Sequence, residues 1–420
     1  MISITRNNNS ISGEIRLPAS KSISNRLLIL QYFYGNSLVI TNLSSADDTV
    51  LMSSVLDLLR QYQLRGENGL LRIDAKNAGT VVRFLIPLLC VIKGHFMLTG
   101  NQRMKQRPVG ALVDAMKESG AEIDYLEEQG FPPLLIRGRS LTGGHIKIDA
   151  SVSSQFVTAL MLLAPTLYDG LTLELLGMRS SWPYVKMTIG ILTSLGIQVI
   201  DQEYSIRIYP KQKMKINVEV ESDWSSASFW YSILAMADKG ELYFPGLRKS
   251  GLQGDQQVEF FFRNLGIFTV QEEGGVVIRK SEIIRENFHA DFAGYPDLAL
   301  PVILTCAAQG VPATFTGLDR LRIKESDRIA ALAEGLSKAG ITLREEFQGV
   351  WRLSGQLTKP CRLFIDDRED HRIAMTFACL AVKGYNVILA NPEVVSKSYP
   401  TFWKDMERIG FICSFSVEKI

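Results

Sequence analysis

One short pattern recurs along the chain and limits the folds open to it: a helix-like segment ends at a glycine and passes into alternating apolar and polar residues. Glycine accepts the left-handed conformation that closes a helix, so each copy predicts an amphipathic helix followed by a strand. The copies recur at intervals of roughly 70 to 76 residues, which is too long for short solenoid repeats. Their glycines are Gly120, Gly196, Gly266, Gly340 and Gly410.

A second series of segments alternates with the first. Six apolar helix-like segments begin with polar residues, as in "SKSISNRLLIL" and "EDHRIAMTFACLAV", and a short strand-like run such as "HFMLTG" follows each. A degenerate first copy of the glycine series, "VLDLLRQYQLR", has Tyr62 at the position of the glycine. Helix, strand, polar loop, helix and paired strands thus repeat six times. We predict an α/β fold of α+β repeats, with three units in each of two domains that meet between residues 211 and 223.

Composition excludes several classes of function. The 420 residues carry 46 Lys plus Arg against 44 Asp plus Glu, so a net charge of +2 provides no general attraction to nucleic acid or to an anionic membrane. The sequence shows neither a signal-peptide pattern nor an apolar run of roughly 20 residues. Its five cysteines form no C-x-x-C pair, which is typical of reduced core cysteines. We expect a cytoplasmic protein without a nucleic-acid or membrane partner.

The polar starts of the apolar helices have two interpretations. Serine, aspartate and asparagine are preferred helix caps, and capping alone explains several of these starts. Capping explains less well why Lys21 and Arg26, Arg83 one turn after Gly79, and Arg372 all lie at such starts. The first N–H groups of a helix bind anions, and several starts facing one cleft would bind a multiply charged anion.

The loops before the glycine-terminated helices contain more cations. They are "GNQRMKQRPVG" with Arg103, Lys105 and Arg107, "LRIKESDRIAALAEG" with Lys324 and Arg328, and "VVSKSYP" with Lys397. Taken singly, charge runs of this kind are usually solvated faces, and ion pairs within "KESDR" would be structural. Their recurrence at one position of the repeating unit favours a shared site.

Nine motifs together resemble the 5-enolpyruvylshikimate-3-phosphate (EPSP) synthase family in order and spacing. They are "LPASKSISNR", "NAGTVVR", "MKQRP", "SVSSQF", "SSWPY", "YPDLAL", "RIKESDR", "DHRIAM" and "SKSYP". The resemblance covers nearly the whole chain. It implies a two-domain inside-out α/β barrel, with residues 1–19 and 221–420 in a C-terminal-type domain and residues 20–220 in an N-terminal-type domain. It also implies that the domains close on the substrates and that the enzyme is a monomer.

The implied activity is transfer of the enolpyruvyl group of phosphoenolpyruvate to the 5-hydroxyl of shikimate 3-phosphate, with release of phosphate, on the way to aromatic amino acids. The implied shikimate 3-phosphate contacts are Lys21, Ser22, Arg26, Ser153, Ser154, Gln155, Ser181, Tyr184, Asp297 and Lys324. The implied phosphoenolpyruvate contacts are Lys21, Gly79, Arg107, Gln155, Arg328, Arg372 and Lys397. The implied catalytic residues are Asp297, which removes the hydroxyl proton, and Glu325 with Lys21, which handle the proton on the methylene carbon.

Charge arithmetic agrees with these assignments. Two phosphate monoesters and two carboxylates approach five negative charges, since each phosphate carries about −1.5 to −2. Seven of the named side chains are cationic, and Asp297 and Glu325 partly offset them. For Asp297 alone the sequence favours a simpler role as the N-cap in "YPDLAL". Nearby cations should also lower the pKa of such a carboxylate and weaken it as a base.

The chain departs from the family pattern at three positions. Ala19 stands where glycine is frequent, Val81 where alanine is usual and Arg320 where an asparagine contact is expected. Val81 adds bulk beside the expected phosphoenolpyruvate pocket and leaves the response to glyphosate open, and Arg320 leaves one shikimate-side contact open. His371 suggests a metal, but the four histidines show no ligand spacing, so we expect neither a metal nor a cofactor.

Three alternatives remain open, and only the third belongs to another functional class. UDP-N-acetylglucosamine enolpyruvyl transferase shares the architecture, but it has Lys-Asn in place of Lys21-Ser22 and a cysteine in the loop that corresponds to "GNQRMKQRP". An RNA-phosphate-processing enzyme built on related repeats would have a more basic surface and a nucleotide site. A catalytically inactive anion-binding module would bind both substrates and form no product.

Overall fold

The computed structural model describes residues 1–213, 215–282 and 287–416. The chain divides into two compact units. Unit 1 contains Met1–Ser20 and the chain from Glu221 onward, and unit 2 contains Lys21–Val220. The chain therefore passes between the units twice, at Ser20–Lys21 and at Val220–Glu221.

Two kinds of helix alternate in the described ranges. The apolar helices with polar starts are α1 (Lys21–Tyr34), α3 (Gly79–Val91), α5 (Ser154–Leu163), α7 (Trp224–Met236), α9 (Ala299–Gln309) and α11 (His371–Ala378). The helices of the glycine series are α2 (Asp47–Leu64), α4 (Gly110–Glu118), α6 (Trp182–Ser194), α8 (Val258–Arg263), α10 (Arg328–Lys338) and α12 (Phe402–Arg408). The first kind is buried nearly all round, since α7 buries every residue except Ser225, whereas α10 buries only a stripe.

The glycines that end the second kind of helix have the predicted left-handed backbone. Their φ angles are positive, from +72° to +92°, at Gly120, Gly196, Gly266, Gly340 and Gly410. The alignment of the degenerate first copy is wrong, because α2 continues past Tyr62 to Leu64. Gly66, with φ +63°, follows the end of α2 in the left-handed conformation, so the first copy has its glycine four residues later.

Five of the six sheets in the described residues share one topology. Two parallel strands are followed by an antiparallel pair, in the orders β4-β5-β7-β6, β8-β9-β11-β10, β2-β13-β15-β14, β16-β17-β19-β18 and β20-β21-β1-β22, while β12 and β3 form a two-stranded parallel sheet. The bounds are β1 Ile2–Thr5, β2 Ser10–Glu14, β3 Leu38–Thr41, β4 Leu70–Asp74, β5 Gly94–Thr99, β6 Glu122–Tyr125, β7 Leu134–Gly138, β8 Gly144–Asp149, β9 Leu171–Leu176, β10 Val199–Asp201, β11 Ser205–Ile208, β12 Ile216–Glu219, β13 Lys239–Pro245, β14 Ile267–Glu272, β15 Gly275–Lys280, β16 Phe288–Asp291, β17 Ala313–Thr316, β18 Ile341–Phe347, β19 Val350–Gly355, β20 Arg362–Ile365, β21 Asn386–Leu389 and β22 Ile412–Phe415.

The first strands of the chain complete sheets of unit 1. Strand β1 pairs antiparallel with β21 and β22, and β2 pairs parallel with β13. Strand β12, which comes just before the second crossing, pairs with β3 in unit 2. The N-terminal segment therefore joins sheets of the C-terminal half.

The apolar helices pack on one another inside each unit. In unit 2, α1, α3 and α5 are mutual neighbours, and in unit 1, α9 packs against both α7 and α11. Side chains also link their starts: Arg83 of α3 binds Gln155 of α5, and Asp297, just before α9, binds Arg372 of α11. Each unit therefore brings the polar starts of its apolar helices together, which is where the sequence places the candidate site residues.

Candidate active site

Lys21 is the first residue of α1 and forms an ion pair. Its Nζ lies 2.9 Å from Oδ2 of Asp48, which is in the first turn of α2. The two side chains are 18% and 7% exposed, so the pair is largely shielded from water. The carboxylate therefore fixes where the ammonium group of Lys21 lies and offsets part of its charge.

Arg26 joins the starts of α1 and α6. Its Nε donates to Oγ1 of Thr188 (2.9 Å), its Nη1 to the carbonyl of Ser22 (2.7 Å) and its Nη2 to the carbonyl of Tyr184 (3.1 Å). Burial lowers the pKa of Arg26 to about 10, so its guanidinium remains charged at neutral pH. Ser181 precedes α6 and has a left-handed backbone with φ +46°. The structure thus brings together four of the predicted shikimate 3-phosphate contacts.

Gly79 begins α3 directly beneath the guanidinium of Arg107. A Cβ atom at position 79 would lie 2.6 Å from Nη2 of Arg107, closer than real contacts allow. Nη1 of Arg107 donates to the carbonyl of Asn77 (3.3 Å). The glycine therefore gives Arg107 room to lie against the start of the helix, where anions bind favourably.

Gln155 lies at the start of α5 among polar partners. The Oγ of Ser153 caps this helix by accepting the backbone N–H of Gln155 at 3.2 Å. The side-chain Oε1 of Gln155 accepts from Nη1 of Arg83 (2.7 Å), and Nε2 donates to Oγ1 of Thr80 (3.1 Å). Ser154 is 7% exposed. Capping thus accounts for Ser153, but not for the side chain of Gln155.

Asp297 in unit 1 is not the N-cap that the sequence alone favours. Leu298 occupies the N-cap position of α9, and the carboxylate of Asp297 instead binds two arginines. Oδ2 lies 2.8 Å from Nη2 of Arg372, and Oδ1 lies 3.3 Å from Nη1 of Arg328. Burial raises the pKa of Asp297, but Arg372, Lys324 and Arg328 outweigh burial and lower it to about 2.

Arg328 is the centre of the unit 1 cluster. Its side chain is 2% exposed and pairs with Glu325 (2.7 Å), Asp370 (2.9 Å) and Asp297 (3.3 Å). Burial lowers the pKa of Arg328, yet the three carboxylates together raise it above its ordinary value. Asp370 also caps α11 by accepting the backbone N–H of Arg372 (3.0 Å). One guanidinium therefore holds both predicted catalytic carboxylates.

The remaining unit 1 candidates lie in or next to short 3-10 helices rather than open loops. Lys324 follows Asp319–Ile323, and Lys397 ends Pro392–Lys397. Both lysines are half-buried, and Lys324 is close enough to Asp297 to lower its pKa. Arg320, at the position where the family has asparagine, is also half-buried in the first of these helices.

Sequence reasoning missed two buried carboxylates, Asp48 and Asp370. Asp48 lies 27 positions from its partner Lys21, and Asp370 lies 42 positions from Arg328. The available signals were the acidic pair Asp47-Asp48, which opens α2, and Asp370 at the head of "DHR". With Asp370 included, the candidate residues of unit 1 comprise four cations and three carboxylates. The charge count made from the sequence therefore overstates the positive charge that is left for a ligand. The four cations are Lys324, Arg328, Arg372 and Lys397, and the three carboxylates are Asp297, Glu325 and Asp370.

Val81, one of the sequence departures, and His371, the residue that suggests a metal, are both buried. Val81 is 0% exposed and belongs to the core packing of α3. His371 is 1% exposed in the first turn of α11. Within the described residues, no group of three or more His, Cys, Asp or Glu side chains has the arrangement of a metal site, and no helix has both the length and the apolar character needed to cross a bilayer.

Comparisons with known proteins agree with the motifs. The family model for EPSP synthase (3-phosphoshikimate 1-carboxyvinyltransferase) matches residues 5–406. A 3-phosphoshikimate 1-carboxyvinyltransferase of Bacteroides fragilis is 39% identical over 404 residues, which are 96% of each protein. The EPSP synthase structure from Acinetobacter baumannii covers 99% of each chain with a TM-score of 0.73 at 21% identity. The enolpyruvyl transferase NikO from Streptomyces tendae has a TM-score of 0.74 at 15% identity, covering 100% of this chain and 99% of its own. The chain belongs to the EPSP synthase family.

Proposed function

We propose that this protein transfers the enolpyruvyl group of phosphoenolpyruvate to the 5-hydroxyl of shikimate 3-phosphate, giving 5-enolpyruvylshikimate 3-phosphate and phosphate in the shikimate pathway. The family match over residues 5–406 carries this conclusion. The fold by itself does not select the acceptor, because NikO is an enolpyruvyl transferase with the same fold. The Bacteroides fragilis relative, which carries the name of the shikimate enzyme, favours shikimate 3-phosphate over UDP-N-acetylglucosamine.

The reaction is an addition followed by an elimination. The 5-hydroxyl oxygen bonds to C2 of phosphoenolpyruvate while that hydroxyl loses its proton, and the methylene carbon C3 gains one. The resulting tetrahedral intermediate then loses a proton from C3 and expels phosphate with the electron pair of its C–O bond. The vinyl group is thereby restored on the new ether, and no oxidant or reductant is required.

Shikimate 3-phosphate is bound largely by side chains at the helix starts of unit 2. These are Lys21, Ser22, Arg26, Ser153, Ser154, Gln155, Ser181 and Tyr184, and unit 1 adds Asp297 and Lys324. Support comes from the hydrogen bonds that Arg26 of α1 donates to Thr188 and Tyr184 of α6, because they hold the starts of the two helices together. Hydroxyl and amide groups at helix starts suit both a phosphate and a polyhydroxylated ring.

Phosphoenolpyruvate is bound mainly by cationic side chains of both units. Its contacts are Lys21, Gly79, Arg107, Gln155, Arg328, Arg372 and Lys397. Arg107 lies against the bare backbone of Gly79 and Arg372 stands in the first turn of α11, so both guanidinium groups belong to helix starts. Arginine suits the two-oxygen faces of carboxylate and phosphate groups, whereas lysine acts as a compact charge or an acid.

Proton transfer is assigned to Asp297, Glu325 and Lys21. Asp297 accepts the proton of the 5-hydroxyl, and Glu325 with Lys21 gives and removes the proton on C3. The low pKa of Asp297, about 2, keeps this residue ionised and makes it a weak base in the free enzyme. Substrate anions that bind to the same cations raise that pKa and make the transfer easier, while fixed positive charge stabilises the developing anion.

The physiological setting extends the same proposal. The enzyme works as a monomer in the cytoplasm on two small-molecule substrates, and units 1 and 2 are the C-terminal-type and N-terminal-type domains of the family. The small net charge of +2 supports a protein without a nucleic-acid partner. Sedimentation of the purified protein with and without both substrates tests the monomer, since a stable dimer would nearly double the mass.

Release of inorganic phosphate tests the proposed activity. The protein should release phosphate only when phosphoenolpyruvate and shikimate 3-phosphate are both present. Release from phosphoenolpyruvate alone would identify a phosphatase and contradict the proposal. Tight binding of both substrates without product would favour the inactive anion-binding module.

A further inference from the structure

Arg83 is a buried cation at a helix start that belongs to neither set of proposed substrate contacts. It lies one turn after Gly79 in α3 and is 5% exposed. Its Nη1 donates to Oε1 of Gln155 at 2.7 Å, and its Nη2 donates to the carbonyl of Pro108 at 3.4 Å. Its guanidinium carbon also lies 5.6 Å from the centre of the Phe156 ring. The side chain thus spans the starts of α3 and α5 and the loop that carries Arg107.

The contact with Arg83 decides which way round the amide of Gln155 lies. A guanidinium group has only donors, so the atom of Gln155 that faces Arg83 must be its oxygen. The amide nitrogen is then directed the other way, and one of its N–H groups donates to Oγ1 of Thr80 at 3.1 Å. The second N–H meets no acceptor among the residues that the structure describes.

We infer that Arg83 is a positioning residue that holds Gln155 as a donor to a substrate oxygen. With its oxygen occupied by Arg83, the side chain of Gln155 offers an N–H, which suits a phosphate, carboxylate or hydroxyl oxygen. An amide freed from Arg83 rotates and presents oxygen to the anion in part of the population, which weakens binding. The inference rests on the proposed function, because Gln155 is a substrate contact only there.

A double-mutant cycle tests the inference. The variants are R83M, Q155A and the two combined, assayed for kcat and for the KM of each substrate. R83M should lower kcat/KM about 10- to 100-fold, chiefly through higher KM values, because the loss corresponds to one hydrogen bond to a charged group. In the Q155A background the R83M substitution should lower kcat/KM by less than about threefold, because the amide that Arg83 positions is absent. An equal loss in both backgrounds would overturn the inference.

Two further variants separate positioning from a structural role. Q155E keeps an acceptor for Arg83 but has no N–H to donate, so it should lose at least as much activity as Q155A. Wild-type activity in Q155E would overturn the inference. R83K retains a charged N–H donor without the planar guanidinium fork, so its activity should fall between those of wild type and R83M. If R83M does not fold, R83K replaces it in the cycle. R83K should then lower kcat/KM less in the Q155A background than in the wild-type background.

Controls distinguish failure of the inference from failure of the proposed function. Arg60 pairs with Asp57 on the surface, so R60M removes an arginine far from the polar helix starts and should leave kinetics unchanged. Wild-type protein must first release phosphate with both substrates. If it does not, the proposed function fails. If it does and the cycle shows no coupling, only the role of Arg83 fails.

Discussion

Replacing Asp297 by asparagine tests whether cations hold this carboxylate in its charged form. Asparagine keeps the shape and one acceptor oxygen but removes the charge opposite Arg372 at 2.8 Å and Arg328 at 3.3 Å. Burial acts to raise the pKa of Asp297, and the surrounding cations lower it from 3.8 to about 2. The folded protein therefore favours the charged carboxylate more than the unfolded chain does.

The lowered pKa of Asp297 determines how much stability D297N should lose and how that loss depends on pH. It corresponds to about 2 kcal/mol of stability, since one pKa unit is about 1.4 kcal/mol. Because the folded-state pKa is the lower one, the contribution is complete above about pH 5 and is lost as the pH falls through about 2. D297N should lower the free energy of unfolding by about 2 kcal/mol at pH 7, and about half of that difference should remain near pH 3.

Urea unfolding followed by tryptophan fluorescence suits this measurement, because four of the five tryptophans lie in unit 1 with Asp297. They are Trp224, Trp230, Trp351 and Trp403. E14Q removes an exposed carboxylate of unit 1 that pairs with Arg16, and this control should unfold like wild type. Equal stability of D297N and wild type at pH 7, or a difference that stays the same at pH 3, would refute the reasoning.

Three other substitutions probe the candidate site. K21M should lower kcat more than about 100-fold while the circular dichroism spectrum stays that of the folded protein, and the Tm should fall because Asp48 loses its shielded ion pair with Lys21; loss of folding would instead indicate a structural lysine. G79A pushes against the guanidinium of Arg107 and should raise the KM for phosphoenolpyruvate about tenfold, whereas G69A, where a Cβ has no neighbour within 4 Å, should behave like wild type. An unchanged KM in G79A would show that Arg107 does not need this space. D370N keeps an oxygen that caps α11 but loses the ion pair with Arg328, and D370A loses both. Both variants should therefore raise the KM for phosphoenolpyruvate. D370A alone should lose about a further 1 kcal/mol of stability in urea unfolding, because it also loses the cap. Equal stability of the two variants would contradict the capping role.

Local signals in the sequence predict the helices well. A glycine that closes a helix and a polar residue that opens one act over a few positions, so both can be seen without knowing the fold. The mistake at Tyr62 has the same origin: α2 has 18 residues, and the expected glycine, Gly66, falls outside a window copied from shorter helices. Local signals do not assign a substrate to each helix start; that assignment comes from the family resemblance and stays a proposal.

Contacts between distant residues could not be predicted in the same way. Nothing in the sequence near Lys21 indicates that Asp48 is its partner, and nothing near Arg328 indicates Asp370. Asp297 shows the problem most clearly, because an aspartate next to the expected start of a helix is more often a cap than a ligand of two arginines. The sheets that β1, β2 and β12 join could not be predicted from local sequence either, since strands of four or five residues carry no signal of which strand they pair with.

The choice of acceptor is the measurement that tests the account most directly. Purified protein should be given phosphoenolpyruvate with shikimate 3-phosphate, with shikimate or with UDP-N-acetylglucosamine, while released phosphate is counted and the organic product is identified by NMR. We predict one phosphate per product with shikimate 3-phosphate, an enolpyruvyl ether on its 5-hydroxyl, and little or no turnover with the other two acceptors. Preferred turnover of UDP-N-acetylglucosamine, or no product from shikimate 3-phosphate, would contradict it.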